Sequence, residues 1–510
     1  MPESVLRAPA APAEPAAAEP AAPAEPAEVS RLAELLARLG PSLEGFLAEP
    51  GDTGFAPYVP GTVPSEAGPL PDTGVGADAA LDDLVAAVEH GSRINAPGWL
   101  GFITTGPSTV PALAAAAVAA VGGQRYTLHA FNALERTGLR WLAELCGLPD
   151  DVTGVFSSGG STANLLALGA ARQAAFERLG HDVSEHGLPA GARGRIYAST
   201  AAHRTIHRAA AVLGLGRQGV TEIPVDADGR IVLAELEAAL ARDVRDGIVP
   251  VAVVAIAGVT DTGSVDRIDR VGEIARRFGA WLHVDGAYGL VANASPRLRP
   301  LFAGIEEADS WIVDPHKWLA TTLGVGATFV RDEEMLTRAF AEGAAAYLEG
   351  SFSPDDVLAT SQFDVMAGRW ADQSMELSAP PRGVIVWALL REIGRQGAIA
   401  RVERHVAFAR SVADEAAAHP RLELLMEPQL SIACFRYVPD RAASDADLDD
   451  LNGRILERLR AETPIAPSST RIGGRFAIRP CFINPRTTLA DADALVDEVL
   501  TVGRALAAAG

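Results

Sequence analysis

The stretch "DSWIVDPHKWLATT", residues 309–322, decides how the rest of the chain is read. A β-branched and aromatic run of strand composition stops at Pro315, and a His–Lys pair follows directly before Trp318. Lysines are ordinarily surface residues. Lys317 is instead flanked by apolar residues, held by a proline, and followed by a second strand-like run, "GATFVRD" (326–332). Lysines enclosed in apolar surroundings are the ones suited to Schiff-base chemistry.

Working outward, short β-branched runs alternate with helical periodicity. The strand-like runs are "TGVFSS" (153–158), "RIYAS" (195–199), "VTEIPVD" (220–226), "VPVAVVAIAG" (249–258) and "WLHVD" (281–285). Between them lie stretches of helical character such as "STANLLALGAARQAAFERLG" (161–180) and "DRVGEIARRFG" (269–279). This alternation predicts an α/β fold with a mostly parallel sheet covered on both faces. In such sheets ligands bind beyond the carboxyl ends of the strands. After about Arg382 the texture changes. Two helical stretches, 383–394 and 399–419, precede strand-like "LSIACFRYV" (430–438) and "RFAIRPCFIN" (475–484), and a capping box Thr488–Asp491 opens a last helix. The expected organisation is a disordered Ala/Pro/Glu tail (1–28), an N-terminal helical arm (29–95), a large domain (96–385) and a smaller α+β C-terminal domain (386–510).

Bulk properties exclude several functions. The 510 residues carry a net charge of −21, which opposes nucleic acid and anionic membrane as partners. No apolar run is long enough to span a bilayer, and the N-terminus lacks the pattern of a signal peptide. Three scattered cysteines form neither a disulfide ladder nor a zinc pattern, which suits a reducing cytoplasm. No His/Cys/Asp/Glu set has metal-ligand spacing, so no metal is expected.

Four segments carry chemistry. "VFSSGGSTANLLAL" (155–168) is strand, Gly-rich turn and helix; its two glycines allow close approach, so Ser161, Thr162 and the free N–H groups of the helix start can cradle a phosphate. Read alone, it serves equally as a capped helix. "WLHVDGAYG" (281–289) ends a buried-looking strand in Asp285, a carboxylate that needs a cation or serves as an N-cap. His203 in "YASTAAHRTIHRAA" (197–210) lies just past a strand end, and Lys317 comes 32 residues after Asp285. "GLGRQG" (214–219) matches a dinucleotide fingerprint formally but ends a helix, so Gly214 and Gly216 read as helix terminators. Phe156 stands where a hydrolase elbow around Ser158 requires glycine. A phosphate cup, a strand-end Asp, a His and a Lys together are the parts needed to hold pyridoxal phosphate.

At these residues the chain resembles the group II pyridoxal-phosphate-dependent amino-acid decarboxylases, the aromatic-L-amino-acid and glutamate decarboxylase group. "SSGGSTANLLAL" (157–168), "HVDGAYG" (283–289), "DPHKWL" (314–319) and "FAIRPCFINPRTT" (476–488) carry the resemblance, which covers roughly residues 80–505. It implies the aspartate-aminotransferase-like fold (fold type I), an obligate homodimer, and decarboxylation of an L-amino acid to the amine and CO2. Lys317 would form the internal aldimine, Asp285 would pair with the pyridinium nitrogen, and His203 and Ala287 would lie against the two ring faces. Gly160, Ser161 and His316 would surround the phosphate, with Thr260 of "GVTDTG" near the cofactor. Tyr347 of "AAAYLEG" would protonate the quinonoid intermediate, and Arg382 of "APPRG" would hold the substrate carboxylate.

Three features set the chain apart. "VGGQRYTLHAFNALE" (121–135), which in the family reaches the neighbouring subunit's pocket, has its own composition. Arg125 there either attracts an acidic substrate or makes a surface salt bridge. "WLATTLGVG" (318–326) lacks the Pro-Phe-Asp often found after the lysine, and the stretch from Tyr347 to Arg382 is longer than in the aromatic enzymes. Phe102 either lines an apolar or aromatic side-chain pocket or belongs to the core. The alternatives within the chemistry are oxidative deamination to an aldehyde, or another carbon–carbon lyase reaction. A pseudoenzyme retaining only the fold is opposed by the intact Lys317, Asp285 and His203.

Overall fold

The computed structural model describes residues 31–48, 59, 61–63, 69–70, 72–123, 129–341, 372–440 and 443–509. The expected tail over 1–28, Arg125 and Tyr347 lie outside these residues. The N-terminal arm consists of α1 (Leu32–Ala48) and α2 (Gly76–Glu89), tied by ion pairs from Arg31 and Arg38 to Asp78. Strand β1 (Trp99–Leu100) follows, then α3 (Thr109–Ala120) and α4 (His129–Leu145).

The central region alternates as β2 (Thr153–Ser157), α5 (Gly160–Glu177), α6 (Val183–His186), β3 (Gly194–Ser199), α7 (Thr205–Val212) and β4 (Val220–Ile223). It continues with α8 (Leu233–Arg245), β5 (Val249–Ile256), α9 (Ile268–Arg277), β6 (Trp281–Asp285), β7 (Ser310–Val313), β8 (Gly326–Val330) and α10 (Glu333–Phe340). Seven strands form one sheet in the order β2-β8-β7-β6-β5-β3-β4. All pairings are parallel except those of β8, which runs antiparallel to β2 and β7. Residues 251–256 of β5 are buried without alternation, as a parallel strand covered on both faces requires. Helix α5 is Ala-rich and buried over most of its surface, because it lies on the sheet with α7 and α10 beside it.

The remainder comprises α11 (Gly383–Ala418), β9 (Leu422–Met426), β10 (Cys434–Tyr437), α12 (Asp445–Glu462), β11 (Ala466–Ile472), β12 (Arg475–Arg479) and α13 (Leu489–Ala509). Gly394 interrupts α11 with φ 61° and ψ −178°, a backbone that glycine adopts freely, so the two helical stretches of the sequence are two helices meeting at a break. The second sheet has the order β1-β11-β12-β10-β9. Here β1 pairs in parallel with β11, through Trp99↔Ala466, so a strand early in the chain completes the C-terminal sheet. At the start of α13 the Asp491 carboxylate accepts both the backbone N–H and the hydroxyl of Thr488, at 2.8 and 2.7 Å. Only the Asp-to-backbone half of the expected capping box is therefore present. No helix among the described residues is long and apolar enough to cross a membrane.

Candidate active site

The parallel strands of the large sheet end on one side, and their ends wall a cavity of about 340 Å³. From the end of β2 come Gly160 and Ser161, from beyond β3 His203, and from the loop after β5 Thr260. The end of β6 supplies Asp285 and Ala287, and the turn after β7 supplies His316 and Lys317. All eight residues assigned to the cofactor from the sequence line this one cavity.

The phosphate end is built from backbone. Helix α5 begins at Gly160 with no side chain capping it, so its first N–H groups are open toward the cavity. The Ser158 and Thr162 hydroxyls bond each other at 2.8 Å beside it. His316 Nδ1 donates to the Val325 carbonyl at 2.7 Å, which orients the ring and leaves Nε2 toward Asp314, 3.9 Å away.

Lys317 Nζ lies 3.1 Å from Asp314 Oδ2. On the opposite side Asp285, 7% exposed, receives the Ala287 backbone N–H on Oδ1 at 3.2 Å and the Asn164 amide on Oδ2 at 3.1 Å. His203 is held by Thr205, whose hydroxyl lies 2.9 Å from Nδ1 and whose backbone N–H donates to the same nitrogen at 3.3 Å. Burial pushes the His203 pKa below its ordinary value, although the nearby Asp285 pulls it the other way. A neutral imidazole results, suited to stacking on an aromatic ring.

Pyridoxal phosphate fits what is there. The uncapped start of α5 offers donors to a phosphate dianion, and Lys317 offers the amine for its aldehyde. Asp285 has two donors on it from one side and lines the cavity on the other, where a ring nitrogen is its natural partner. Asp314 Oδ1 is buried with no hydrogen-bond partner among the described residues, an acceptor at the cavity wall for an incoming donor.

Two expected substrate residues lie elsewhere. Arg382 stands at the start of α11, largely enclosed and bound to Glu376 at 2.6 and 3.1 Å, and it is not part of the cavity lining. Phe102 is also outside the lining and 54% exposed, with φ 55°, an uncommon value for a non-glycine residue. Its carbonyl accepts from Arg479 at 2.8 Å. That buried arginine also donates to the carbonyls of Thr260 and Asp261, tying the C-terminal sheet to the cavity rim.

Sequence reasoning missed Asn164, Thr205, Asp314 and Arg479, because each is a single polar residue in an otherwise ordinary stretch. One compositional signal was available for the key residue: Lys317 is the sole lysine in the 510-residue sequence, every other basic side chain of the Lys/Arg pair being arginine.

Comparison with known proteins points to the same cofactor. The family model described as "Pyridoxal-dependent decarboxylase conserved domain" matches residues 81–438. The chain is 31% identical over 425 residues to L-2,4-diaminobutyrate decarboxylase of Rhizobium meliloti (strain 1021), covering 82% of this chain and 81% of that protein. It is 30% identical over 355 residues to aromatic-L-amino-acid decarboxylase of Bacillus atrophaeus, 70% of each. Among solved structures, Oryza sativa TDC with PLP and tryptamine superposes with a TM-score of 0.85 at 25% identity, covering 94% of this chain and 99% of that one.

Proposed function

Because the chain belongs to the pyridoxal-dependent decarboxylase family, and is thus a pyridoxal-phosphate-dependent amino-acid decarboxylase, we propose that it converts one L-amino acid into its amine and CO2 with the residues gathered around Lys317. The observation that carries this reading is the convergence of Lys317, Asp285 and His203 on one cavity beside the uncapped start of α5.

Pyridoxal phosphate, when bound, supplies an electron sink for the pair released as CO2 leaves the substrate Cα. The protein's part is to bind, orient and move protons. Lys317 Nζ would be the amine that holds the cofactor. Asp285 would hold the ring nitrogen and, by its charge, favour the protonated form. His203 and Ala287 would hold the ring between them and so help to orient the substrate. The first N–H groups of α5, with Ser161 and His316, hold the phosphate. Tyr347 delivers a proton to the substrate Cα after CO2 has gone, which makes the product an amine.

The working unit in this reading is a homodimer. Leu113, Leu323 and Met375 are 64%, 63% and 63% exposed, apolar surface that a second copy would cover. Three free, buried cysteines suit a reducing compartment such as the cytoplasm.

The test is a screen of the protein loaded with pyridoxal phosphate against aromatic, acidic and basic L-amino acids, following CO2, amine and aldehyde together. Equal yields of CO2 and amine from one class support the proposal. A loaded enzyme that releases no CO2 from any of them, or that yields only aldehyde, contradicts it.

A further inference from the structure

Behind Asp285 runs a chain of buried polar side chains whose donors and acceptors can all be satisfied in one direction, with a hydrogen arriving at Asp285. Trp281, at the start of β6, has an indole N–H that can only donate, and it lies 2.7 Å from Ser310 Oγ on the neighbouring β7. The Ser310 hydroxyl is thereby free to donate to His283 Nδ1 at 2.8 Å. A neutral imidazole accepting at Nδ1 carries its proton on Nε2, which then donates to Asn164 Oδ1 at 2.9 Å. His283 is fully buried, and that burial pushes its pKa down to about 4, so the neutral form prevails around pH 7.

With the Asn164 oxygen engaged, both amide hydrogens point the other way. One goes to Asp285 Oδ2 at 3.1 Å and the other to Thr205 Oγ1 at 3.3 Å. The Thr205 hydroxyl completes the second branch by donating to His203 Nδ1, 2.9 Å away, the nitrogen that also accepts the Thr205 backbone N–H. No hydrogen-bonding side-chain atom of Asn164, Thr205, His283 or Ser310 is left without a partner.

We propose that Trp281, Ser310, His283 and Asn164 form a one-directional hydrogen-bond relay that positions Asp285 and His203 together, with the Asn164 amide as its branch point. The inference rests on the pyridoxal phosphate reading of the cavity. These four are positioning residues, because none of them except Asn164 lines the cavity and none supplies a reacting atom. Every donor in the relay faces toward Asp285. Reversing any link turns the Asn164 amide over and presents its oxygen to the carboxylate, a repulsive contact in a buried setting.

The relay differs from ordinary core satisfaction in what breaks it. Ser310→Ala removes one hydroxyl far from the cofactor, and with it the donor that fixes the His283 tautomer. Ser310→Thr keeps the hydroxyl. Asn164→Asp places an oxygen where Asp285 now receives a hydrogen. The experiment titrates the cofactor-free wild type and these variants with pyridoxal phosphate by absorbance, then follows the visible band from pH 6 to 9, alongside thermal unfolding without cofactor.

Ser310→Ala and Asn164→Asp are expected to bind the cofactor about tenfold or more weakly and to shift the pH midpoint of the band, with Ser310→Thr restoring both. Wild-type affinity and band in Ser310→Ala and Asn164→Asp would overturn the relay, as would a Ser310→Thr variant impaired as much as the alanine. If Asn164→Asp does not fold, Ser310→Ala against Ser310→Thr decides alone. A wild type that binds no pyridoxal phosphate would instead overturn the reading of the cavity itself.

Discussion

Lys317 Nζ stands 3.1 Å from Asp314 Oδ2, so the sole lysine of the chain is aimed by a buried carboxylate three residues before it. The same carboxylate lies under the start of α5, where a Cβ added at Gly160 would come within 2.6 Å of Asp314 Oδ2. The amine and the phosphate end of the site are therefore coupled through one side chain.

That coupling makes Gly160→Ala informative. The added methyl must displace Asp314, and overpacking of this kind costs roughly 1–3 kcal/mol. Pyridoxal phosphate should bind at least tenfold more weakly, while the unfolding temperature without cofactor changes little. Absorbance titration measures the first and calorimetry the second. Unchanged affinity would mean that Asp314 does not govern the cradle.

Product identity tests the assignment of Tyr347. If this hydroxyl returns a proton to Cα, Tyr347→Phe should lower amine formation by at least tenfold and divert part of the flux to aldehyde, with consumption of O2. Amine and CO2 formed at the wild-type rate, without aldehyde or peroxide, would remove Tyr347 from the reaction.

Stability should depend on pH through His283. Burial lowers its pKa from an ordinary 6.5 to about 4. A histidine depressed in the folded state contributes stability above its unfolded pKa and loses it as pH falls toward the folded one. Between pH 7 and 5 the loss is about 2 kcal/mol. Asp266, raised to about 6 by burial, acts in the opposite sense over the same range. Comparing wild type with His283→Asn isolates the histidine. Urea unfolding should show the variant losing about 2 kcal/mol less on acidification. Equal losses in both would contradict a buried neutral His283.

The large sheet was legible because its strands are dense β-branched runs separated by helical stretches, and β2 to β8 fall on the segments where that contrast is sharp. Strands β9 and β11 were not foreseen. "LELLM" has no strand-like alternation and "APSSTRI" is polar at four of its seven positions, yet both are recruited by pairing with β10 and β12. The pairing supplies what their composition does not. The cofactor residues stood out because strand ends, a Gly-rich turn and an unusual lysine coincide with motif positions. Asn164 sits inside a helix and Asp314 before a proline, where neither periodicity nor turn chemistry marks a role. Only the fold shows that the first touches Asp285 and the second Lys317. Arg382 was read from its local motif, and within the chain it is paired with Glu376.

The central claim is that Lys317 holds the cofactor, and the sole lysine makes the test unusually clean. Protein loaded with pyridoxal phosphate is reduced with borohydride, and intact mass and peptide mass are read before and after. The account predicts loss of the visible band and one pyridoxyl group per chain, located on the peptide containing Lys317. Lys317→Ala should take up none, release no CO2, and unfold at a temperature close to that of the cofactor-free wild type. A wild type that shows no visible band and gains no mass, or a label confined to the N-terminal amine, would contradict it.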